Sequence, residues 1–167
     1  MILTARTADA PVRTQQECMA VATRSEIKIS TVAADIGNEV SARRLAAITM
    51  ANHGRLDVLI NNAGVVSTDA SAFGKLDSIG VEQIQDVSRV DYIGKFLTVK
   101  HLVPILLVST AGAKVTVNIS RFSMHFAAGG AVGFNIAALA TTRLTENIAE
   151  TYAGDGDGID DTSAADA

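Results

Sequence analysis

The sequence holds a single cysteine, Cys18, no tryptophan, two tyrosines and five phenylalanines. A lone cysteine excludes an internal disulfide and fits a reducing compartment. Its neighbours Gln16, Glu17 and Met19 are helix formers with no positive charge among them, so Cys18 reads as a structural thiol rather than a nucleophile. With so few large rings, a core has to be filled by Ala, Val, Ile and Leu. Positive charge is also scarce: the net charge is −4 and there is no basic run, which excludes general attraction to nucleic acid or an anionic membrane. No apolar run is long enough to span a bilayer. Arg6 and Asp9 interrupt the first turns, so no secretory signal is expected. The most apolar later stretch, residues 102–108, contains Pro104 and follows Lys100-His101. The expectation is a cytoplasmic protein with neither membrane nor nucleic-acid partners. His53, His101 and His125 are scattered, so no metal site is expected. No internal repeat is found.

What is present is a chain of 167 residues, 48% apolar and 19% charged, enough for one globular domain with a real core. Ile2-Leu3-Thr4-Ala5-Arg6 reads as a short strand. Residues 9–23 read as a helix, with Asp9 as N-cap and Pro11 tolerated in the first turn. Residues 27–34 read as a second strand ending at Asp35-Ile36. Asn38 is placed to cap the next helix, Glu39 to favour its dipole and Gly54 to stop it, with Leu45, Ile48 and Ala51 on one face.

The run Leu56-Asp57-Val58-Leu59-Ile60 then predicts a strand buried on both faces, closed by Asn61-Asn62-Ala63-Gly64. A Ser-, Asp- and Gly-rich loop over 65–80 reads as the edge of a site. Val81, Ile84, Val87, Val90, Ile93, Phe96 and Val99 recur at three-residue steps, predicting one long amphipathic helix over 81–107 in which Pro104 marks a kink or the last turns. Residues 114–119 read as a strand. Residues 132–153 read as a final helix with Ile136, Leu139, Ala140, Leu144 and Ile148 on its buried side. Strand and helix in alternation predict a parallel sheet with helices on both faces. Residues 154–167 turn to Gly, Asp, Ala and Ser and read as a disordered acidic tail.

Asn61-Asn62-Ala63-Gly64 after a buried strand, preceded by Gly54-Arg55-Leu56-Asp57, resembles the short-chain dehydrogenase/reductase family. The resemblance covers residues 2–153. It implies a Rossmann-like three-layer α/β/α fold, an oxidoreductase that moves hydride between NAD(P)(H) and a carbonyl or alcohol, and a cofactor at the carboxyl edge of the sheet. At matching positions, Arg6 would pair with the 2′-phosphate of NADP, favouring it over NAD, because no carboxylate stands there to repel the phosphate. Asp35 and Ile36 would border the adenine. Asn62, Ala63 and Gly64 would brace the sheet centre and let backbone approach the ribose.

The resemblance also locates the catalytic positions. The family's asparagine on the long helix is Asp91, and the strand before the last helix ends Asn118-Ile119-Ser120-Arg121, which puts Arg121 at the serine position with Ser120 beside it. The last helix places Phe134 at the tyrosine and Ala138 at the lysine. Phenylalanine has no proton to give and alanine has no charge. Loss of one general acid typically costs about a hundred- to ten-thousand-fold in rate. Tyr92 with Lys95, and Ser123 with His125, lack the family spacing for a replacement.

The family's first strand and its Gly-rich pyrophosphate turn do not precede Ile2, and no Gly-x-x-x-Gly-x-Gly occurs in the chain. That strand would lie between the Ile2 and Leu56 strands, so the two halves are expected to close, rearrange or borrow a strand. The family's last strands are likewise expected to be lacking. The reading is therefore a core fragment, 1–153, of a truncated or altered gene product: an oxidoreductase lineage impaired or inactive in this form. The alternative is a non-catalytic remnant that forms a homodimer or tetramer through the two long helices. Gly129-Gly130-Ala131-Val132-Gly133 reads as a flexible loop, since no lysine follows it. Asp155-Gly156-Asp157-Gly158-Ile159-Asp160-Asp161 lacks the closing Glu of a calcium loop.

Overall fold

A computed structural model describes residues 1–23, 26–66, 74–110, 114–118 and 131–152, and the backbone of 160–161. Strand β1 (Ile2–Ala5) leads into helix α1 (Asp9–Val21), strand β2 (Ser30–Ala33), helix α2 (Glu39–His53) and strand β3 (Val58–Asn61). After a single 3₁₀ turn at Leu76–Ser78 come α3 (Val81–Ser88), a wide π turn (Arg89–Gly94), α4 (Lys95–Leu107), β4 (Val115–Asn118), α5 (Val132–Tyr152) and β5 (Asp160–Asp161). Every strand pairing is parallel, as the alternation of strand and helix requires.

Local signals act as their chemistry dictates in α2. The Asn38 side chain accepts the Ser41 N–H at 3.1 Å, and Gly54 ends the helix at φ 69°, where a Cβ would be strained. Helix α1 differs from expectation at its start. Its N-cap is Ala8, and Asp9 is already helical, its carboxylate near the positive end of the dipole rather than capping it. The strands are shorter than read from sequence, and β5 falls inside the segment expected to be a disordered tail, with Val115 opposite Asp160. The rest of that tail, residues 120–121, the pair Ser123 and His125, and the glycines at 129–130 lie outside the described residues.

The main core joins Val32 and Ala34 of the β2 region, Leu45 and Ala46 of α2, Leu59 of β3, Val99, Leu102, Val103 and Leu106 of α4, and Ile148 of α5. Helix α1 packs on β1 and β2 and adds nothing to this core, so it covers the other face of that pair, as a three-layer Rossmann-like fold requires. Pro104 lies within α4 without ending it.

Four apolar patterns fold differently from what their spacing predicts. Strand β3 is not buried on both faces: Leu59 is buried, but Val58 and Ile60 are 49% and 60% exposed, because no described helix covers that side. The three-residue stripe of 81–107 is split by the π turn. Val87, Val90 and Val99 are buried while Val81, Ile93 and Phe96 are exposed, since a step of three falls short of the 3.6-residue turn and drifts around the axis. In α5 the buried side is Ala137, Ala138, Thr141, Thr145 and Ile148, whereas Ile136 and Leu139 face outward. In α2, Ala51 is exposed and Ala42 and Thr49 are buried beside Leu45.

The sheet is in two pieces. β1 pairs with β2, and β3 with β4 and β5, with no ladder between β1 and β3.

Candidate functional site

The carboxyl ends of β1, β2 and β3 bring three turns to one edge. Arg6 follows β1 and is exposed. Asp35 follows β2, and the charge of Arg6 is near enough to favour its ionised form. Asn62, Ala63 and Gly64 follow β3, all exposed. Arg6, Asp35 and the Asn62 turn thus each follow the carboxyl end of a strand. Ligands of open parallel sheets collect at that edge.

Asp35 is already engaged there. One carboxylate oxygen accepts from Arg89 at 2.8 Å, and the other accepts the Gly37 N–H at 3.0 Å. Burial opposes its charge, but these bonds and the Arg89 charge outweigh burial and hold the carboxyl below its usual range. Ile36 is buried, packed toward Gly94 of the π turn, where an added Cβ would come within 2.9 Å of it. Gly37 is equally confined, since a Cβ would meet the Arg89 guanidinium at 2.6 Å. The turn after β2 therefore rests directly on the π turn, and only glycine at both places lets the backbones approach so closely.

The bracing role assigned to Asn62 belongs instead to Asn61, which is 5% exposed. Its Nδ2 donates to Asn118 Oδ1 at 2.8 Å, and its Oδ1 lies 2.7 Å from the Thr98 hydroxyl. Asn118 Nδ2 donates to Thr145 Oγ1 at 2.9 Å, and Thr145 donates to the Thr141 carbonyl. This buried chain ties β3 to β4, α4 and α5. The alternation of β3 held the clue, since Leu59 and Asn61 share a face and Asn62 is the first residue beyond the strand.

Asp91, expected from the sequence at the family's asparagine position, lies in the π turn and is 4% exposed. Its Oδ1 accepts the Val65 N–H at 2.7 Å, which pins the turn after β3, and its carbonyl accepts from Thr141. Burial pushes its carboxyl above the usual range, against the Val65 bond and the Lys95 charge. Lys95, one turn further on, is equally buried; burial pushes its ammonium down and Asp91 opposes this. The buried Lys95 had no signal in the sequence beyond its spacing of four from Asp91. Tyr92 is partly exposed while Lys95 is buried, so the two do not present one face to solvent. π turns of this kind recur at functional sites.

A carboxyl raised by burial is protonated more readily in the folded chain than in the unfolded one. Its protonation therefore favours folding, and that gain is lost as pH rises from about 3.9 through the raised folded value. Asp91→Asn keeps an acceptor for Val65 and removes this loss. Urea midpoints measured across the range should show the variant gaining on the wild type as pH rises; a constant difference would contradict the assignment.

Phe134 is half-buried and Ala138 is 5% exposed, one turn apart on α5. The two share a helical face, and their side chains bring it neither a hydroxyl nor an amine. Ser120 and Arg121 lie outside the described residues. Among the described residues no three metal-ligating side chains come together, and no helix is long and apolar enough to cross a membrane.

Comparison with known proteins gives one consistent picture. The family model described as short chain dehydrogenase matches residues 1–159. The 2-(R)-hydroxypropyl-CoM dehydrogenase of Xanthobacter autotrophicus is 36% identical over 129 residues, 77% of this chain and 50% of that protein. Short chain dehydrogenase pgmD of Aspergillus terreus is 28% identical over 161 residues, 93% of this chain and 52% of that protein. The chain spans about half the length of these curated relatives. Among solved structures, the Pseudomonas aeruginosa RhlG/NADP active-site complex superposes with TM-score 0.79 at 24% identity, covering 96% of this chain and 59% of that one. A metagenomic short-chain oxidoreductase in complex with NADP superposes with TM-score 0.72 at 23% identity, covering 90% and 62%.

Proposed function

The chain belongs to the short-chain dehydrogenase family, and from that premise we propose that it retains part of an NADP(H) site while its hydride transfer to a small carbonyl or alcohol is impaired. The observation that carries this reading is the meeting of Arg6, the Asp35 turn and the exposed Asn62-Ala63-Gly64 turn at the carboxyl ends of three parallel strands. Arg6 would hold the 2′-phosphate, as its guanidinium is exposed and the residue directly after β1 is this arginine rather than a carboxylate. NAD is the second choice on the same ground. Asp35, held ionised by Arg89, would accept from the adenine amine. The backbone of 62–64 would meet the ribose.

The nicotinamide of the cofactor supplies or accepts hydride when bound. This chain's own residues would provide binding and orientation: Asp91 fixes the turn after β3 through Val65, and the Asn61 chain fixes the strand ends. At the proton-handling positions stand Phe134 and Ala138, which hold no exchangeable side-chain proton and no charge. No strand, Gly-rich turn and helix of the kind that holds a pyrophosphate occurs among the described residues, which is why affinity is expected to be weak. Titration of NADPH followed by its fluorescence should show saturable binding, and Arg6→Ala should weaken NADPH about tenfold while leaving NADH unchanged. Absence of NADPH binding at millimolar concentration would overturn this reading.

A second reading has its own observation. Ile93 of the π turn, Phe96 of α4, and Ile136 and Leu139 of α5 are exposed, and such apolar residues on neighbouring helical segments suit a self-complementary contact. On this reading the chain is a non-catalytic dimer or tetramer module of the cytoplasm. A single monomeric species in sedimentation at high concentration would dismiss it.

A further inference from the structure

Three charged side chains meet where β1 and β2 end. Ala5 and Ala33 are the last paired residues of these strands, and the Ala34 N–H donates to the Ala5 carbonyl at 2.9 Å. Arg6 and Asp35 thus leave adjacent strand ends about 4.8 Å apart, and the charge of Arg6 is felt at Asp35. An arginine beside an ionised carboxylate ordinarily pairs with it. Here it does not: among the described residues Arg6 forms no ion pair, and Oδ2 of Asp35 lies 2.8 Å from Nη1 of Arg89 instead.

The hold of Arg89 is prepared by the turn after β2. Gly37 donates its N–H to Oδ1 of Asp35 at 3.0 Å, which fixes the carboxylate from one side, and it lacks the Cβ that would lie 2.6 Å from Nη1 of Arg89. Arg89 comes from the π turn and closes the other side. The two side chains are 43% and 37% exposed, so their pairing adds little to stability by itself. Its consequence lies in what it leaves over. One carboxylate between two guanidiniums leaves one positive charge unmatched, and the guanidinium without a partner is that of Arg6.

We propose that Arg89 is a positioning residue for cofactor choice: by occupying Asp35 it keeps that carboxylate from capturing Arg6, and so leaves Arg6 open to a phosphate monoester, the 2′-phosphate of NADP(H). This inference rests on the NADP(H) reading of the same edge and adds to it a residue of another element that acts only through Asp35. Without Arg89, Asp35 and Arg6 would close on each other. The three groups' surplus of positive charge would be gone, and a phosphate would have to break the new pair to reach Arg6. A cofactor without the phosphate makes no demand on Arg6, so only the difference between the two affinities registers the change.

Fluorescence titrations of NADPH and NADH on the full chain test this at low ionic strength, where exposed charges are least screened. Arg89→Met should weaken NADPH about fivefold, the factor one exposed ion pair can supply, and leave NADH unchanged. Arg89→Lys keeps a donor and the charge, and should hold NADPH within about twofold of wild type. In an Asp35→Asn background no carboxylate remains to capture Arg6, so Arg89→Met should there change the ratio of the two affinities by less than about twofold. If Arg89→Met does not fold, Arg89→Gln, which keeps a donor to Asp35 but no charge, is read in its place. Equal weakening of both cofactors would make Arg89 a mere tie between two turns and overturn the proposal, as would no change in either. An equal loss of NADPH affinity in the Asp35→Asn background would overturn it too, because Arg89 would then touch the phosphate itself. A wild type that binds NADPH through Arg6 yet ignores Arg89 rejects this inference alone. A wild type that binds no NADPH rejects the NADP(H) reading along with it.

Discussion

Phe134→Tyr combined with Ala138→Lys is expected to raise NADPH-dependent carbonyl reduction by about a hundred- to ten-thousand-fold, the range spanned by one positioned general acid. The two residues sit one turn apart on α5, so a phenol and an ammonium introduced there meet on one face. The ammonium would lower the phenol pKa and help it deliver a proton. The two changes act as a unit, so either alone should give little of the gain. Ala138 is buried, and a lysine there has a desolvation cost, so thermal unfolding of the double variant must be followed beside turnover. A folded double variant that binds NADPH yet shows no rise in rate would reject the assignment of these positions. A folded variant that binds no NADPH would instead place the deficit in the cofactor site.

The second large effect concerns stability. Asn118→Leu is expected to cost roughly 2–4 kcal/mol, because it strands the buried Nδ2 of Asn61 without its acceptor. Asn61→Leu should cost a similar amount, stranding Asn118 Oδ1. The double replacement should cost clearly less than the sum. Thr98 keeps the Lys95 carbonyl as acceptor and Thr145 keeps that of Thr141, so no polar group is left orphaned when both amides become apolar. Urea midpoints of the four proteins measure this, and strict additivity would show that the amides do not act as one network.

Motifs whose information is local are legible in the chain itself. The Asn38 cap, the Gly54 stop and the order of strands and helices follow from side-chain chemistry at a few adjacent positions. Burial is less legible. The stripe of 81–107 reads as one face until the π turn at Arg89–Gly94 resets the phase, and a π turn is stabilised by packing rather than by any residue's own preference. No local feature of the sequence sets Gly37 and Gly94 apart. Their need for close approach exists only once the turn after β2 rests on the π turn.

The candidate site divides in the same way. That Phe134 and Ala138 carry no side-chain proton or charge is a fact of the sequence alone, as is the net charge of −4. The sequence also determined the family and the edge at which Arg6, Asp35 and the turn after Asn61 collect, because strand order and strand ends follow from alternation. Only the tertiary structure decided that Asn61 forms the buried brace, that Asp91 and Lys95 share a buried turn, that Arg89 has taken hold of Asp35, and that β1 and β3 share no ladder. Each of these depends on which distant segments meet. Hydrogen bonds across 50 or more residues, such as those from Asn61 to Asn118 and from Arg89 to Asp35, leave no periodic or local trace in the chain.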